Sequence, residues 1–164
     1  MVETHMDESA DAERPMGQQI LPEQGRLPAA LPPGAFAHPP GVVVGVDLVE
    51  VQRIARTVER FGARFLGRIF SEAELLESRQ RITWLAGRFA AKEACAKALG
   101  VGIGEQAAWR DMRVLRQPNG KPTLQLFGDA AERAAALELV SIDLSITHTH
   151  HYALAVVVGL SANT

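Results

Sequence analysis

The sequence predicts an α+β fold, a mostly antiparallel sheet packed with helices in a single domain. Three observations carry that expectation: a β-branched stretch opening at Val42, a run of helix-patterned segments after it, and two pairs of strand-patterned segments joined by short turns. Val42-Val43-Val44-Gly45-Val46-Asp47-Leu48-Val49 is apolar on both alternating faces, as a strand covered on both sides would be. Val51, Ile54, Val58, Phe61, Phe65 and Ile69 then recur three and four residues apart, the stripe of a helix that Gly62 can divide in two. Arg56, Arg60, Arg64 and Arg68 repeat every four residues beside it.

Ser71-Glu72-Ala73-Glu74 reads as a capping box, with Phe70 and Leu75 placed as its hydrophobic staple, so a short helix begins at Glu72. A third, alanine-rich helix spans about Thr83 to Leu99, and Gly100 suits the left-handed position past its end. Met112 to Arg116 and Thr123 to Phe127 form a hairpin across the turn residues Pro118, Asn119 and Gly120. A helix from about Gly128 to Leu139 follows, then strands Ser141 to Thr147 and Tyr152 to Leu160.

Seven of the nine prolines lie in residues 1–40, where no helical or strand period survives. Residues 1–41 are therefore expected to be a disordered leader and residues 42–164 the folded domain. With 47% hydrophobic and 22% charged residues, the chain can bury a core, which excludes wholesale disorder. No proline-free apolar run approaches the ~20 residues that cross a bilayer, and no basic-then-apolar export signal opens the chain. The net charge of −2 conceals a leader with six acids against two arginines and a domain with fifteen basic against thirteen acidic residues. That slight basic excess speaks against general nucleic-acid binding, and the single Cys95 fits a reducing, cytoplasmic setting.

Asp47 interrupts an apolar strand, so its carboxylate needs a hydrogen-bond donor, a cation or a metal; capping the next helix is the competing role. Glu93 shares a helix face with Phe89 and Lys97, while Arg88 and Lys92 share the neighbouring one; a solvated Glu–Lys pair is the plain alternative. Two carboxylates from separate elements, with Arg88, Lys92 and Lys97 as cations, are what a magnesium-bound diphosphate requires. His148 ends a strand on the face of Ile142, Leu144 and Ile146, either as a core residue or as a phosphate contact. His148, His150 and His151 lack zinc-ligand spacing. Gly100-Val101-Gly102-Ile103-Gly104 follows a helix where a dinucleotide-binding loop would precede one.

Three ordered motifs, Gly45-Val46-Asp47-Leu48-Val49-Glu50, Gly87-Arg88-Phe89-Ala90-Ala91-Lys92-Glu93-Ala94 continuing to Lys97, and Ser145-Ile146-Thr147-His148, resemble the holo-acyl-carrier-protein synthases, bacterial 4′-phosphopantetheinyl transferases. Asn119-Gly120-Lys121-Pro122 matches a further turn of that family, and the resemblance spans about Val42 to Leu160. It implies transfer of phosphopantetheine from coenzyme A to a serine of an apo acyl carrier protein, releasing adenosine 3′,5′-bisphosphate. By the same resemblance Asp47 and Glu93 are the catalytic, Mg2+-binding acids, and Arg88, Lys97 and His148 lie near coenzyme A. It also implies a homotrimer with sites between subunits; an acidic carrier gives Arg53 and the arginine row a use in docking, with a plain solvated face as the competing explanation for Arg56, Arg60, Arg64 and Arg68. A magnesium-dependent hydrolase of nucleoside diphosphate compounds and a non-enzymatic trimeric binding module are the alternatives carried forward.

Overall fold

The computed structural model describes residues 41–162, so the expected leader lies outside the described residues. The chain runs β1 (Val42–Glu50), α1 (Val51–Ile69), α2 (Glu72–Ser78), α3 (Ile82–Leu99), a short 3-10 turn at Trp109–Asp111, β2 (Met112–Arg116), β3 (Pro122–Leu126), α4 (Gly128–Ala136), β4 (Leu139–His148) and β5 (Tyr152–Ser161). β1, β5 and β4 form one antiparallel sheet in that order, and β2 and β3 pair as a separate hairpin. The α+β class expected from the sequence is the one observed.

The alternation along β1 and β5 sorts the sheet into two faces. Val43, Val49, Ala153, Ala155 and Val157 point inward onto α3, whose Ala90, Ala91, Ala94, Cys95 and Ala98 are all buried. Small side chains let helix and sheet approach closely, and the closest approach is at Gly45. A β-carbon there would lie 1.9 Å from the Ala94 carbonyl oxygen and 2.6 Å from the Ala98 nitrogen. No side chain fits at this position, whatever its rotamer.

The expectation that β1 is covered on both faces is corrected. β1 is an edge strand, and Val42, Val44, Val46 and Leu48 on its outer face are exposed in the single chain. Two boundaries also move. α4 stops at Ala136 rather than near Leu139, because Glu138 takes a left-handed conformation (φ 53°) and β4 already begins at Leu139. Phe127 leaves the hairpin to precede α4, its amide donating to the Asp111 carbonyl.

The α1 stripe is as expected except at Phe61: Val51, Ile54 and Ile69 are buried and Val58 and Phe65 partly so, whereas Phe61 is exposed next to the break at Gly62, which sits at φ 50°, ψ −133°. The α2 capping box is present too. The Ser71 amide and hydroxyl both donate to Glu74 Oε2 at 2.8 Å, and the Glu74 amide returns a bond to Ser71 Oγ at 3.3 Å. α3 ends as expected at Gly100, φ 66°, whose amide reaches the Ala96 and Lys97 carbonyls.

Candidate active site

Asp47 lies two residues beyond Gly45 on the same inward face of β1, so the close approach at Gly45 carries its carboxylate to the edge of α3. There Lys97 Nζ meets Asp47 Oδ1 at 2.8 Å and the Val46 carbonyl at 3.0 Å. Asp47 therefore does not cap α1; the residue before that helix is Glu50, and its side chain makes no capping bond. Glu93, one helical turn before Lys97, faces the same point. Its partial burial, and next the Asp47 carboxylate, push its pKa above the ordinary glutamate value, while Lys97 and Arg53 pull it back.

This arrangement meets the requirements of a divalent cation. Two hard oxygen donors from separate elements stand close enough to repel, and a doubly charged ion would relieve that repulsion. Among the described residues no group of three or more His, Cys, Asp and Glu side chains gathers as a metal set. An ion held by Asp47 and Glu93 would thus complete its shell with phosphate oxygens and water, as Mg2+ commonly does.

A second cluster occupies another side of α3. The Arg88 guanidinium is buried and lies 3.9 Å over the Trp84 ring, one turn earlier on the helix. Its Nε and Nη2 have no hydrogen-bond partner among the described residues. Burial, and then the Arg116 charge, lower its pKa to about 10, so it is still cationic at neutral pH. Arg88 opens into a pocket of ≈ 140 Å³ lined also by Arg81, Trp84, Arg116 and His148. His148 arrives there because β4 presses on α3 at Gly87, where a β-carbon would be 3.0 Å from Ile146 Cγ2; His148 follows two residues later on that face. A buried, unsatisfied guanidinium among further cations is a receptor for a phosphate group.

The five predicted residues thus fall into two groups. Asp47, Glu93 and Lys97 come together; Arg88 and His148 come together; the lining of the basic pocket includes none of the first three. Arg88 and Glu93 are five residues apart, roughly 7.5 Å along the helix axis and ~140° around it, which places them on different faces. Lys92, expected among the phosphate-neutralising cations, is corrected. It is completely buried, paired with Glu74 at 3.0 Å, and donates to the Ile69 and Trp109 carbonyls. Arg81, Trp84 and Arg116 were missed. For Trp84 and Arg81 a signal existed, because they stand four and seven residues before Arg88, Arg81 at the N-cap of the same helix; nothing local marks Arg116, which the hairpin brings to the pocket.

Arg53, Arg56, Arg60, Arg64 and Arg68 are all exposed along α1. Arg53 is near enough to Glu93 to act on its charge, so the row starts beside the carboxylate pair. The Gly62 kink lies between Arg60 and Arg64. Among the described residues no helix is long and apolar enough to cross a membrane.

The family model of the 4′-phosphopantetheinyl transferase superfamily matches residues 43–157. A holo-[acyl-carrier-protein] synthase of Bradyrhizobium sp. is 48% identical over 126 residues, covering 70% of this chain and 91% of that protein. The Brucella ovis holo-[acyl-carrier-protein] synthase is 46% identical over 124 residues, covering 71% of this chain and 92% of that protein. In structure, the chain is similar to the Helicobacter pylori holo-[acyl-carrier-protein] synthase in complex with coenzyme A, with TM-score 0.65 and 36% identity over 71% of this chain and 98% of that one. The Neisseria meningitidis enzyme gives TM-score 0.65 and 35% identity, covering 71% of this chain and 96% of that one.

Proposed function

Because this chain belongs to the 4′-phosphopantetheinyl transferase superfamily, we propose that it is a holo-acyl-carrier-protein synthase, moving phosphopantetheine from coenzyme A to a serine of an apo acyl carrier protein. The serine hydroxyl oxygen bonds to the phosphorus that bears the pantetheine arm. The pyrophosphate P–O bond breaks, adenosine 3′,5′-bisphosphate departs with the bonding electrons, and the serine proton passes to a general base. The observation that carries this reading is the facing pair Asp47 and Glu93, whose repulsion calls for a divalent cation.

Asp47 and Glu93 would hold Mg2+, which when bound would stabilise charge on the leaving phosphate. Lys97 is placed to add a fixed positive charge beside them. Arg88 and His148, with Arg116, would hold a phosphate group of coenzyme A, and the unpaired Arg88 nitrogens support that role.

The two clusters face different ways on α3, which favours a site shared between subunits: acids from one copy, the basic pocket from its neighbour. The outer sheet face supports the assembly. Val42, Val44, Val46 and Leu48 of β1 lie beside Leu160, Val158, Val156 and Leu154 of β5, an aliphatic stripe with no charge in it. Copies of this chain, arranged as a homotrimer, would cover it. The arginines of α1 offer the acidic carrier a complementary surface ending at the carboxylate pair. A cytoplasmic setting agrees with the free, buried Cys95, whose thiol burial pushes up to about 12.

No observation favours the magnesium-dependent hydrolase, since α3 carries one acid where such enzymes commonly place several on one helix. The test is incubation with coenzyme A, magnesium and an apo acyl carrier protein, read by intact mass. The carrier should gain one phosphopantetheine. A folded preparation that leaves every carrier tested unchanged sinks the assignment, whereas carrier binding without transfer would return the binding-module reading.

A further inference from the structure

We infer that the buried Glu74–Lys92 pair positions coenzyme A at a distance: it ties the β2–β3 hairpin to α3 and so sets the width of the pocket between Arg88 and Arg116. The inference rests on the functional reading above, in which that pocket holds a phosphate of coenzyme A. Lys92 Nζ, on α3, spends its three donors on Glu74 Oε2 (3.0 Å), the Ile69 carbonyl at the end of α1 (2.8 Å) and the Trp109 carbonyl (3.1 Å). Glu74 Oε2 also holds the start of α2 through Ser71, and its other oxygen accepts the Val114 amide of β2 at 3.0 Å. One buried charge pair thus joins three helices, the 3-10 turn and the hairpin. Both side chains are wholly inaccessible, so water cannot replace any of these bonds.

The connection to the ligand is short. Arg88 is one turn before Lys92 on α3, and Arg116 is two residues beyond Val114 on the same face of β2. Both line the basic pocket, Arg88 from α3 and Arg116 from the hairpin. The Arg116 amide is also held by Glu77 of α2, at 3.2 Å to Oε2, so the hairpin wall is anchored to α2 twice. A hydrophobic pair could supply bulk here, but it could not pin a backbone amide of the hairpin. Neither Glu74 nor Lys92 touches the pocket, and each acts only through what it holds.

Lys92→Met alone leaves Glu74 buried with its charge unpaired and is expected to melt at a much lower temperature. The informative variant is Glu74→Met/Lys92→Met, which removes both charges and the acceptor of the Val114 amide while nearly keeping side-chain length. Two measurements are made on the full-length protein well below its melting temperature: amide hydrogen exchange, and steady-state kinetics with coenzyme A and carrier varied separately. Exchange at Val114–Arg116 should rise about tenfold while Ala153–Val157 of β5 stays protected. KM for coenzyme A should rise about tenfold, with kcat and KM for the carrier within about threefold of the wild type. A folded double variant with wild-type KM for coenzyme A would overturn the inference, whatever its melting temperature, as would unchanged hairpin exchange. If the double variant does not fold, Glu74→Met alone is measured the same way, with the same two outcomes deciding. A wild-type protein without transferase activity would refute the functional reading instead, and calorimetric titration with coenzyme A would then replace KM as the readout.

Discussion

Glu93 is held in a state that the folded protein disfavours. Burial and the Asp47 carboxylate raise its pKa, so the native chain binds this proton more tightly than the unfolded chain does. The sign follows from that difference. The penalty is absent below the ordinary glutamate range, grows as pH climbs through that range to the raised native value, and is complete only above it. Glu93→Gln should therefore raise the melting temperature of the metal-free protein at pH 7, a gain that shrinks to nothing as pH falls below about 4. The same variant should lose activity on the order of a hundredfold or more. Thermal melts across pH, set beside transfer assays, check both halves, and a variant less stable than wild type at pH 7 would contradict the account. At Arg88 the planar fork matters as well as the charge. Arg88→Lys keeps the cation, loses the stacking on Trp84 at 3.9 Å, and should raise KM for coenzyme A about tenfold while kcat changes little.

Among the elements, β1 and α3 depend on each other at Gly45. Gly45→Ala would drive a methyl group to 1.9 Å from the Ala94 carbonyl, which is backbone and cannot rotate away. The strand must lift from the helix, at about 1–3 kcal/mol or more, and Asp47 must leave Glu93 with it. Chemical denaturation should show the stability loss, and activity should fall further than stability alone explains, because the carboxylate pair is pulled apart. Gly62 works differently. Nothing lies within 4 Å of a β-carbon there, yet its φ of 50° with ψ of −133° is a backbone region that side chains avoid. Gly62→Ala should cost about 1–3 kcal/mol through strain, or straighten α1 and redirect Arg64 and Arg68 relative to Arg60. Carrier KM, measured beside stability, distinguishes the two results.

For the molecule as a whole, the outer sheet face decides whether one chain suffices. Val44 is 59% exposed, so Val44→Glu should barely disturb an isolated chain yet place a carboxylate in any interface built on the stripe. Light scattering behind gel filtration should then report monomers in place of the proposed trimer, with transferase activity lost. A fully active monomeric variant would show that the two clusters cooperate within one subunit. Deleting residues 1–40 should leave both activity and assembly intact, because the matched family region begins at residue 43. A large loss in the same assays would assign residues 1–40 a role in the enzyme.

Local patterns were enough to read the α+β class, the capping box at Ser71–Glu74, the left-handed end at Gly100 and the break at Gly62, since each depends on residues a few positions apart. Asp47, Glu93, Arg88, Lys97 and His148 were legible as ordered motifs. Their division into an acidic and a basic cluster was not, because it depends on which face of α3 meets β1 and which meets β4. Lys92 shows the same limit. On a helical wheel it is one more cation beside Arg88, and only the packing of α1, α2 and the hairpin around it turns it into a buried anchor. Sequence alone determined which chemical groups the chain carries and the period on which they recur. The tertiary structure decided which of them reach solvent and ligand, because burial and pairing are set by contacts between elements distant in the chain.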